Sequence, residues 1–330
     1  MTQNRSEKPA YWESSMGTHV LLCDLSLSPV MSLATTRDGG RPEHIRRYPS
    51  ASRAEFDHAI SHYLAEIFDA PPSAVAMSAR GWQDRDRLYL QGVSFELGRD
   101  DIRALADVQR VNFLNNFVAR ALAVPRLGRS DRHQIAGGEV NDDSVIAVLG
   151  PHHGLGLASL VSDGVGGWTA LHGEGGHSDL AVKTEREWRL VEAMRAKNGY
   201  VSRETGISVA GLSDIWYALH AIDDEPSFAM SAAEIIDAAR AGTDRAQEAI
   251  DVMTGWLAAM ASDIVLIMGA TGGVYLTGAL MDMIGDLFNE DVFRARYLDK
   301  GPRTAYVTAV PVFRTQAADM ELAGLATLFE

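Results

Sequence analysis

Five places in this 330-residue chain carry side chains able to do chemistry on a ligand. Asn115 and Asn116 are paired amides where "FLNNFVARALAVP" passes from an apolar run into a helical one. Glu174 and His177 flank two glycines in "GEGGHSDLAV", and Glu204 lies in "GYVSRETGIS". Asp24 ends an apolar run at the polar bend of "VLLCDLSLSPVM", and His152 and His153 sit inside the glycine-rich "GPHHGLG". Carboxylates accept from two hydroxyls at once, while amides and imidazoles both donate and accept, so these types suit a ligand rich in hydroxyl groups. They also suit the bracing of a plain turn at Gly175–Gly176, and on residue type alone that plainer reading is the stronger. The histidine pair reads as a phosphate or metal site or, more plainly, as two loop residues. His58 and His62, four apart, read as a solvated helix face.

The elements that must position these groups are legible from period and punctuation. Val20–Asp24 and Val30–Thr35 read as a hairpin, with Glu43–Tyr48 as a third strand. Ser52 and Glu55 form a capping-box pair before a helix whose Phe56, Ile60, Tyr63, Leu64 and Ile67 share one face. Ser73–Met77 reads as a strand, Phe95–Leu105 as holding a helix start, Arg110–Leu114 as a strand and Phe117–Val124 as a helix. Val145–Leu149 starts a second series: a glycine-rich turn, a second strand, then helices at Thr184–Lys197, Leu212–Ile222 and Ser231–Ala241. Thr184 with Glu187 and Ser231 with Glu234 mark helix starts, and Gly199 and Gly242 mark stops. A long helix is predicted from about Asp244 to Met268, then a strand at Val274–Thr277, a mostly helical piece at Ala279–Arg296, a strand near Ala305–Val312 and a last helix at Met320–Leu328. Two α/β halves with glycine-rich turns after strands suggest a duplicated nucleotide-handling fold with a cleft between.

Bulk properties narrow the partners. A chain of this length, 46% hydrophobic and 22% charged, can bury a sizeable core and suggests two domains. A formal net charge of −14 repels phosphate backbones and argues against nucleic acid. Cys23 is the single cysteine, so neither a disulfide framework nor a cysteine-rich zinc site can form. Residues 1–18 lack the apolar segment of a signal peptide and read as a tail. The longest apolar stretch, Trp256–Ala270, is interrupted by Ser262 and Asp263 and reads as too short for a membrane span. A cytoplasmic protein is the expectation.

The order "FLNNF", "AVLGPHHGLGLASLV", "GEGGHSDLAV", "GYVSRETGIS" and "GGVYLTGAL" resembles the bacterial glucokinase family, within the superfamily of hexokinases, actin and heat-shock chaperone ATPases. The resemblance covers nearly everything after residue 18. It implies the two-domain actin-like ATPase (ribonuclease H-like) α/β fold with an interdomain cleft. The small domain would span 19–126, completed by about 308–330, and the large domain 127–307. It further implies a hexose, glucose in the family, held by Asn115, Asn116, Glu174, His177 and Glu204. Mg-ATP would be handled by Asp24, Gly154, Gly156, Gly272 and Gly273, with Asp24 reaching magnesium through water. The family reaction turns ATP and glucose into glucose 6-phosphate, and the family allows a homodimer.

The departures from the family pattern concentrate on ATP handling and on the catalytic base. Asn116 stands where the family has the aspartate that takes the proton from the attacking hydroxyl; an amide cannot do so, and such help is worth about 10²–10⁴ in rate. The first phosphate turn keeps Asp24 but has Ser26 and Leu27 for two glycines, Ser28 for a threonine and Met31 for an arginine. Glycines there admit close approach of phosphate to backbone N–H groups. The second turn keeps Gly154 and Gly156 but carries His152 and His153. In "LQGVSFEL" the Thr-Asn and Trp signature is gone, although Gln91 can replace the asparagine; Ala279 replaces a glycine, and "AADMELAG" replaces an Asn-Pro-Gly-like turn. The leading expectation is therefore a hexose-binding protein with weak or lost transfer. The alternatives are a normally active glucokinase, a sugar-sensing or regulatory pseudo-kinase, and a kinase for another substrate using His152 or His153.

Overall fold

The computed structural model describes residues 18–330, apart from the side chains of residues 82 and 83. The expected tail thus lies outside the described residues save for Thr18. By backbone contacts the chain separates into two units: one runs to Phe113 and takes in Ala326–Glu330, the other is Leu114–Leu325.

In the first unit, β1 (His19–Asp24) and β2 (Val30–Arg37) form the expected hairpin, and β3 (Glu43–Pro49) extends it. Then come α1 (Arg53–Ile67), β4 (Ala74–Ala79), β5 (Gly81–Asp84), β6 (Arg87–Leu90), β7 (Glu96–Gly98), α2 (Arg99–Ala106) and β8 (Arg110–Asn115), within which the boundary between units falls. One sheet has the order β3-β2-β1-β4-β8, and β5-β6-β7 form a small separate one. β1 runs antiparallel to β2 and parallel to β4, which sets Asp24 between Ser32 and Ser78. The two-residue period of the strands sends Leu21, Cys23, Met31, Leu33, Val75 and Met77 into a core shared with Phe56, Ile60 and Tyr63 of α1. The capping box forms as its spacing predicts: Ser52 Oγ accepts from Glu55 N–H, and the Glu55 carboxylate accepts from Ser52 N–H, each at 3.3 Å.

The second unit contains α3 (Asn116–Leu122), β9 (Arg132–Ala136), β10 (Ile146–Pro151), β11 (Leu155–Ser162), β12 (Trp168–Gly173), α4 (Glu185–Asn198), α5 (Arg203–Gly206), α6 (Val209–Ile222), α7 (Ala232–Arg240) and α8 (Asp244–Met268). It continues with β13 (Gly273–Leu276), α9 (Ala279–Ile284), α10 (Glu290–Leu298), α11 (Thr304–Thr308), β14 (Val312–Thr315) and α12 (Met320–Ala326). Its sheet has the order β12-β11-β10-β13-β14-β9. β10 is antiparallel to β11 and parallel to β13, the same plan that β1 follows with β2 and β4.

Three expectations are corrected. The strand predicted near Ala305–Val312 is the helical turn α11 followed by β14; Val307 and Val310 are the buried positions, three apart, a helical spacing that the β-branched composition hides. The strands β9 and β12 escape prediction because they are the sheet's two edges and bury too little for an alternating pattern. Length does not exclude α8 from a membrane: its 25 residues are long and apolar enough to span one. Its buried residues, among them Ile250, Met253, Trp256, Leu257 and Met260, make it the central helix of the second unit's core instead. Ser262 does not interrupt it, because its hydroxyl donates back to the carbonyls of Ala258 and Ala259 at 3.0 and 3.1 Å.

The helices α4, α6 and α8 are tied by one carboxylate. Asp223, capping the end of α6, accepts two bonds from Arg186 at 3.0 and 2.8 Å and one from Arg245 at 2.7 Å. The Arg186 guanidinium, then Arg245, holds its carboxyl well below the ordinary carboxylate range. A depressed carboxyl stabilises the fold above its unfolded value, about 3.9, and that contribution is lost as pH falls below it. Melting temperature should therefore fall on acidification below about pH 4. Asp223→Asn should lower the melting temperature at pH 7 and flatten this part of the profile; an unchanged profile would show that the network does not act.

Candidate functional site

Three segments of the second unit meet on the first residues of β11. Gly150 of β10 and Gly156 of β11 lie directly opposite each other. A Cβ at Gly150 would come 2.2 Å from Phe117 Cε2, and one at Gly156 would come 2.4 Å from Phe117 Cδ2. The paired glycines thus form a floor for the Phe117 ring, which sets the first turn of α3 and the two amides before it. Asn115 is the N-cap of that helix: its Oδ1 accepts from Phe117 N–H at 2.8 Å and Val118 N–H at 3.4 Å. Its Nδ2 remains to donate to a ligand. The Asn116 side chain has no hydrogen-bond partner among the described residues and keeps both capacities.

One residue earlier along β11, Leu155 N–H donates to Glu204 Oε2 at 2.8 Å. The same oxygen would lie 2.6 Å from a Cβ at Gly154, so glycine there makes room for the carboxylate. Glu204 stands in the first turn of α5, whose start is capped by Ser202. One residue later, Leu157 pairs with Gly173 and packs on Gly175, and Gly176 packs on the carbonyl of Leu155. This seats a one-turn 3₁₀ helix, Gly175–His177, that carries His177. His177 Nε2 lies 4.0 Å from Glu174 Oε2, and both side chains are largely exposed. The turn is pinned to α5 by Arg203 N–H donating to Ser178 O at 2.9 Å. The Tyr200 hydroxyl, 3.1 Å from His177 O and 2.7 Å from Asp179 Oδ1, holds it from the other side.

Residues 154–157 therefore gather Glu204, the Asn115–Asn116 helix start and the Glu174–His177 turn within one unit. All five residues expected to hold a hexose belong to this arrangement. It offers two carboxylates, two amides and an imidazole, a set suited to hydroxyl groups and hostile to an anion. Phe117 was missed as a positioning residue; its signal was the pair of glycines, which sequence reasoning assigned elsewhere. His152 and His153 stack edge to face at 4.4 Å, with His152 N–H bonded to Gly154 O at 2.8 Å, in a loop whose carbonyl caps onto Val209 N–H at 2.8 Å.

The residues expected to handle nucleotide are placed differently. Gly154 faces the Glu204 carboxylate, which would repel a phosphate, and Gly156 lies under Phe117. Gly272 and Gly273 are buried at the amino end of β13, where a Cβ at Gly272 would strike Ser144 O at 2.6 Å. The carboxyl ends of β10 and β13, the usual ligand end of such sheets, are marked instead by Gly150 and Gly278.

In the first unit, the turn after β1 is closed on itself. Leu25 N–H donates to Ser78 O at 2.8 Å, Ser26 N–H to Asp24 Oδ1 at 3.2 Å, Ser28 N–H to Leu25 O at 3.2 Å and Val30 N–H to Leu27 O at 3.1 Å. Pro29 has no N–H, so among the described residues only that of Leu27 is left for a phosphate. Asp24 is buried and also accepts from Ser26 Oγ and, at 2.7 Å, from Ser78 Oγ. Met31 is fully buried in the apolar core, and Leu27 is exposed. Among the described residues no three His, Cys, Asp or Glu side chains cluster as metal ligands. The turn does not fit a triphosphate in the manner of a glycine-built one.

A groove of about 430 Å³ lies between α4, α8 and α10, away from these residues. Both of its arginines are paired within it, Arg186 with Glu248 and Arg296 with Glu187.

Residues 28–330 match the protein-family model described as Glucokinase. The glucokinase of Chromobacterium violaceum is 33% identical over 85% of this chain and 79% of that protein. The glucokinase-like protein of Caulobacter vibrioides is 33% identical over 91% of this chain and 93% of that protein. A crystal structure of glucokinase from an Antarctic psychrotroph gives a TM-score of 0.86 at 25% identity, covering 94% of this chain and 98% of that one. A glucokinase from Balamuthia mandrillaris in complex with glucose gives 0.78 at 17% identity over 96% and 95%, a likeness of fold alone. The fold is the mixed α/β architecture of the actin-like ATPases. The chain belongs to the glucokinase family.

Proposed function

We propose that this protein binds a hexose, glucose before others, on Asn115, Asn116, Glu174, His177 and Glu204, and transfers phosphate to it weakly or not at all. The convergence of these residues on Gly154 and the first three residues of β11 carries the reading. Asn115 donates through Nδ2, because its Oδ1 caps α3. Glu204 accepts through Oε1, because Oε2 holds Leu155 N–H. Glu174 and His177, exposed and side by side, accept from and donate to neighbouring hydroxyls. Discrimination follows from leaving these groups unpaired when the wrong epimer binds.

The residue beside the attacking hydroxyl is Asn116. It orients that hydroxyl but cannot take its proton. Mg-ATP is the nucleotide of the family, and the closed turn after Asp24 argues against its being held there in the usual way. A cytoplasmic location accompanies this reading, since sugar and nucleotide of this kind meet there. A second reading, an ordinary glucokinase, is favoured by the similarity to the Chromobacterium glucokinase.

Glucose at about 100 times its Kd should stabilise the protein by about 2.7 kcal/mol and raise its melting temperature by several degrees. Glu174→Gln or His177→Ala should weaken that response about tenfold or more in glucose concentration, consistent with about 1.5–3 kcal/mol for a hydrogen bond to a charged group. No glucose response in the wild type would sink the hexose assignment.

A coupled assay for glucose 6-phosphate separates the two catalytic readings. The expected rate lies far below the ordinary kinase range of about 1–100 s⁻¹, and a rate inside that range would refute the weakened-transfer reading. Asn116→Asp should recover much less than the roughly 10²–10⁴ that a general base supplies, because the turn at Ser26–Ser28 stays closed. Full recovery would show that the base alone was missing.

A further inference from the structure

Between Asp251 and its end at Met268, α8 carries one charge, Asp263. Its neighbours Ser262, Ile264 and Val265 are buried, and a half-buried carboxylate in such a place must be paired. It is paired twice: Arg203 Nη2 donates to Oδ2 at 3.0 Å, and Lys300 Nζ donates to Oδ1 at 2.5 Å. The Arg203 side chain does more than neutralise it. Its Nε donates to Asp179 O at 3.3 Å, while the Arg203 N–H donates to Ser178 O at 2.9 Å. Ser178 and Asp179 directly follow His177, and Arg203 directly precedes Glu204. One guanidinium thus joins α8 to both segments that flank these hexose candidates. The two segments also meet in an isolated antiparallel bridge between Asp179 and Ser202.

Both segments need an outside support. α5 has four residues, too few to hold itself as a helix. The turn that carries His177 is a single 3₁₀ turn with exposed side chains. On α8, Trp256 stands seven residues before Asp263, two turns earlier on the same face. A Cβ at Gly206 would lie 2.8 Å from Trp256 Cε3, so the end of α5 rests on that indole. Its start is held by Asp263 through Arg203. Packing sets how close α5 comes, while the guanidinium, with N–H groups in a fixed plane, sets its direction. A buried ion pair of this kind contributes little net stability, because desolvation offsets the attraction. We propose that Asp263, on the core helix, is a positioning residue of the hexose site: through Arg203 it fixes Glu204 relative to the Glu174–His177 turn, and so sets the affinity for sugar. The sugar rests on the reading under Proposed function; the brace from α8 does not.

The test compares the wild type with Asp263→Asn, Arg203→Met, their double variant and Arg203→Lys. Glucose Kd is read by titration calorimetry well below the melting temperature, and amide hydrogen exchange is followed without sugar. Each of the first two variants should weaken glucose binding about three- to thirtyfold, the size of effect of residues that act through others. The double variant should lose no more than the worse single one, because both break one link. Arg203→Lys keeps a charge for Asp263 but not the fork that also reaches Asp179 O, so its affinity should fall between wild type and Arg203→Met. Exchange should quicken at residues 175–179 and 203–206 and stay as in the wild type along β10 and β13. Should Arg203→Met fail to fold, Asp263→Asn, nearly identical in shape, carries the same comparison. A lower melting temperature with wild-type glucose affinity and wild-type exchange in those segments would make the pair purely structural and overturn the proposal. Additive losses in the double variant would overturn it as well. No glucose binding by the wild type would sink the hexose reading instead; exchange then decides the brace by itself, quickened exchange in Asp263→Asn supporting it and unchanged exchange refuting it.

Discussion

The contact on which the hexose candidates depend is the Phe117 ring against two facing glycines. Gly150 and Gly156 are register partners, and both must lack a side chain for the ring to lie where it does. The ring fixes where α3 begins, and the cap of α3 consumes Oδ1 of Asn115. The same strand then binds Glu204 through the Leu155 amide and seats the Gly175–His177 turn. Because consecutive residues of a strand cannot move separately, the three ligand-bearing segments share one frame. Close packing makes such a frame rigid: an added methyl group at Gly156 would have to displace a ring.

The turn after β1 shows the opposite economy. Its N–H groups, which a phosphate loop must keep free, are satisfied by Ser78 O, Asp24 and the turn's own carbonyls. Leu27 and Met31 are not merely substitutions for glycine and arginine. Met31 has become a core residue, and Leu27 the exposed tip of a tight, self-bonded turn. On the reading proposed above, these changes and Asn116 at the base position would remove both phosphate positioning and proton acceptance. Hydroxyl recognition asks for neither, so the two functions separate physically.

Most elements were legible because their boundary signals are local. Ser52 with Glu55, Ser231 with Glu234, and Thr184 with Glu187 mark helix starts that the structure realises. The edge strands β9 and β12 were not legible, since a strand that buries little shows no alternation. α11 was misread because Tyr306, Val307 and Val310 look like a strand until their burial, three residues apart, is known. The glycines were the subtlest case. "GLG" at Gly154–Gly156 matches a phosphate turn in pattern, yet one glycine yields to a carboxylate and the other to an aromatic ring. A missing Cβ says that something comes close, not what.

From the sequence by itself came the family pattern, the α/β succession, the five hexose candidates and the altered base and phosphate turns, because each rests on residue identity and short spacing. Tertiary structure alone decided that Asn115 is half spent as a cap, that Glu204 is bound to the strand beside Gly154, and that the turn after Asp24 has closed. These are statements about which hydrogen-bonding capacity is already used. They depend on contacts between segments far apart in the chain, which local spacing cannot encode.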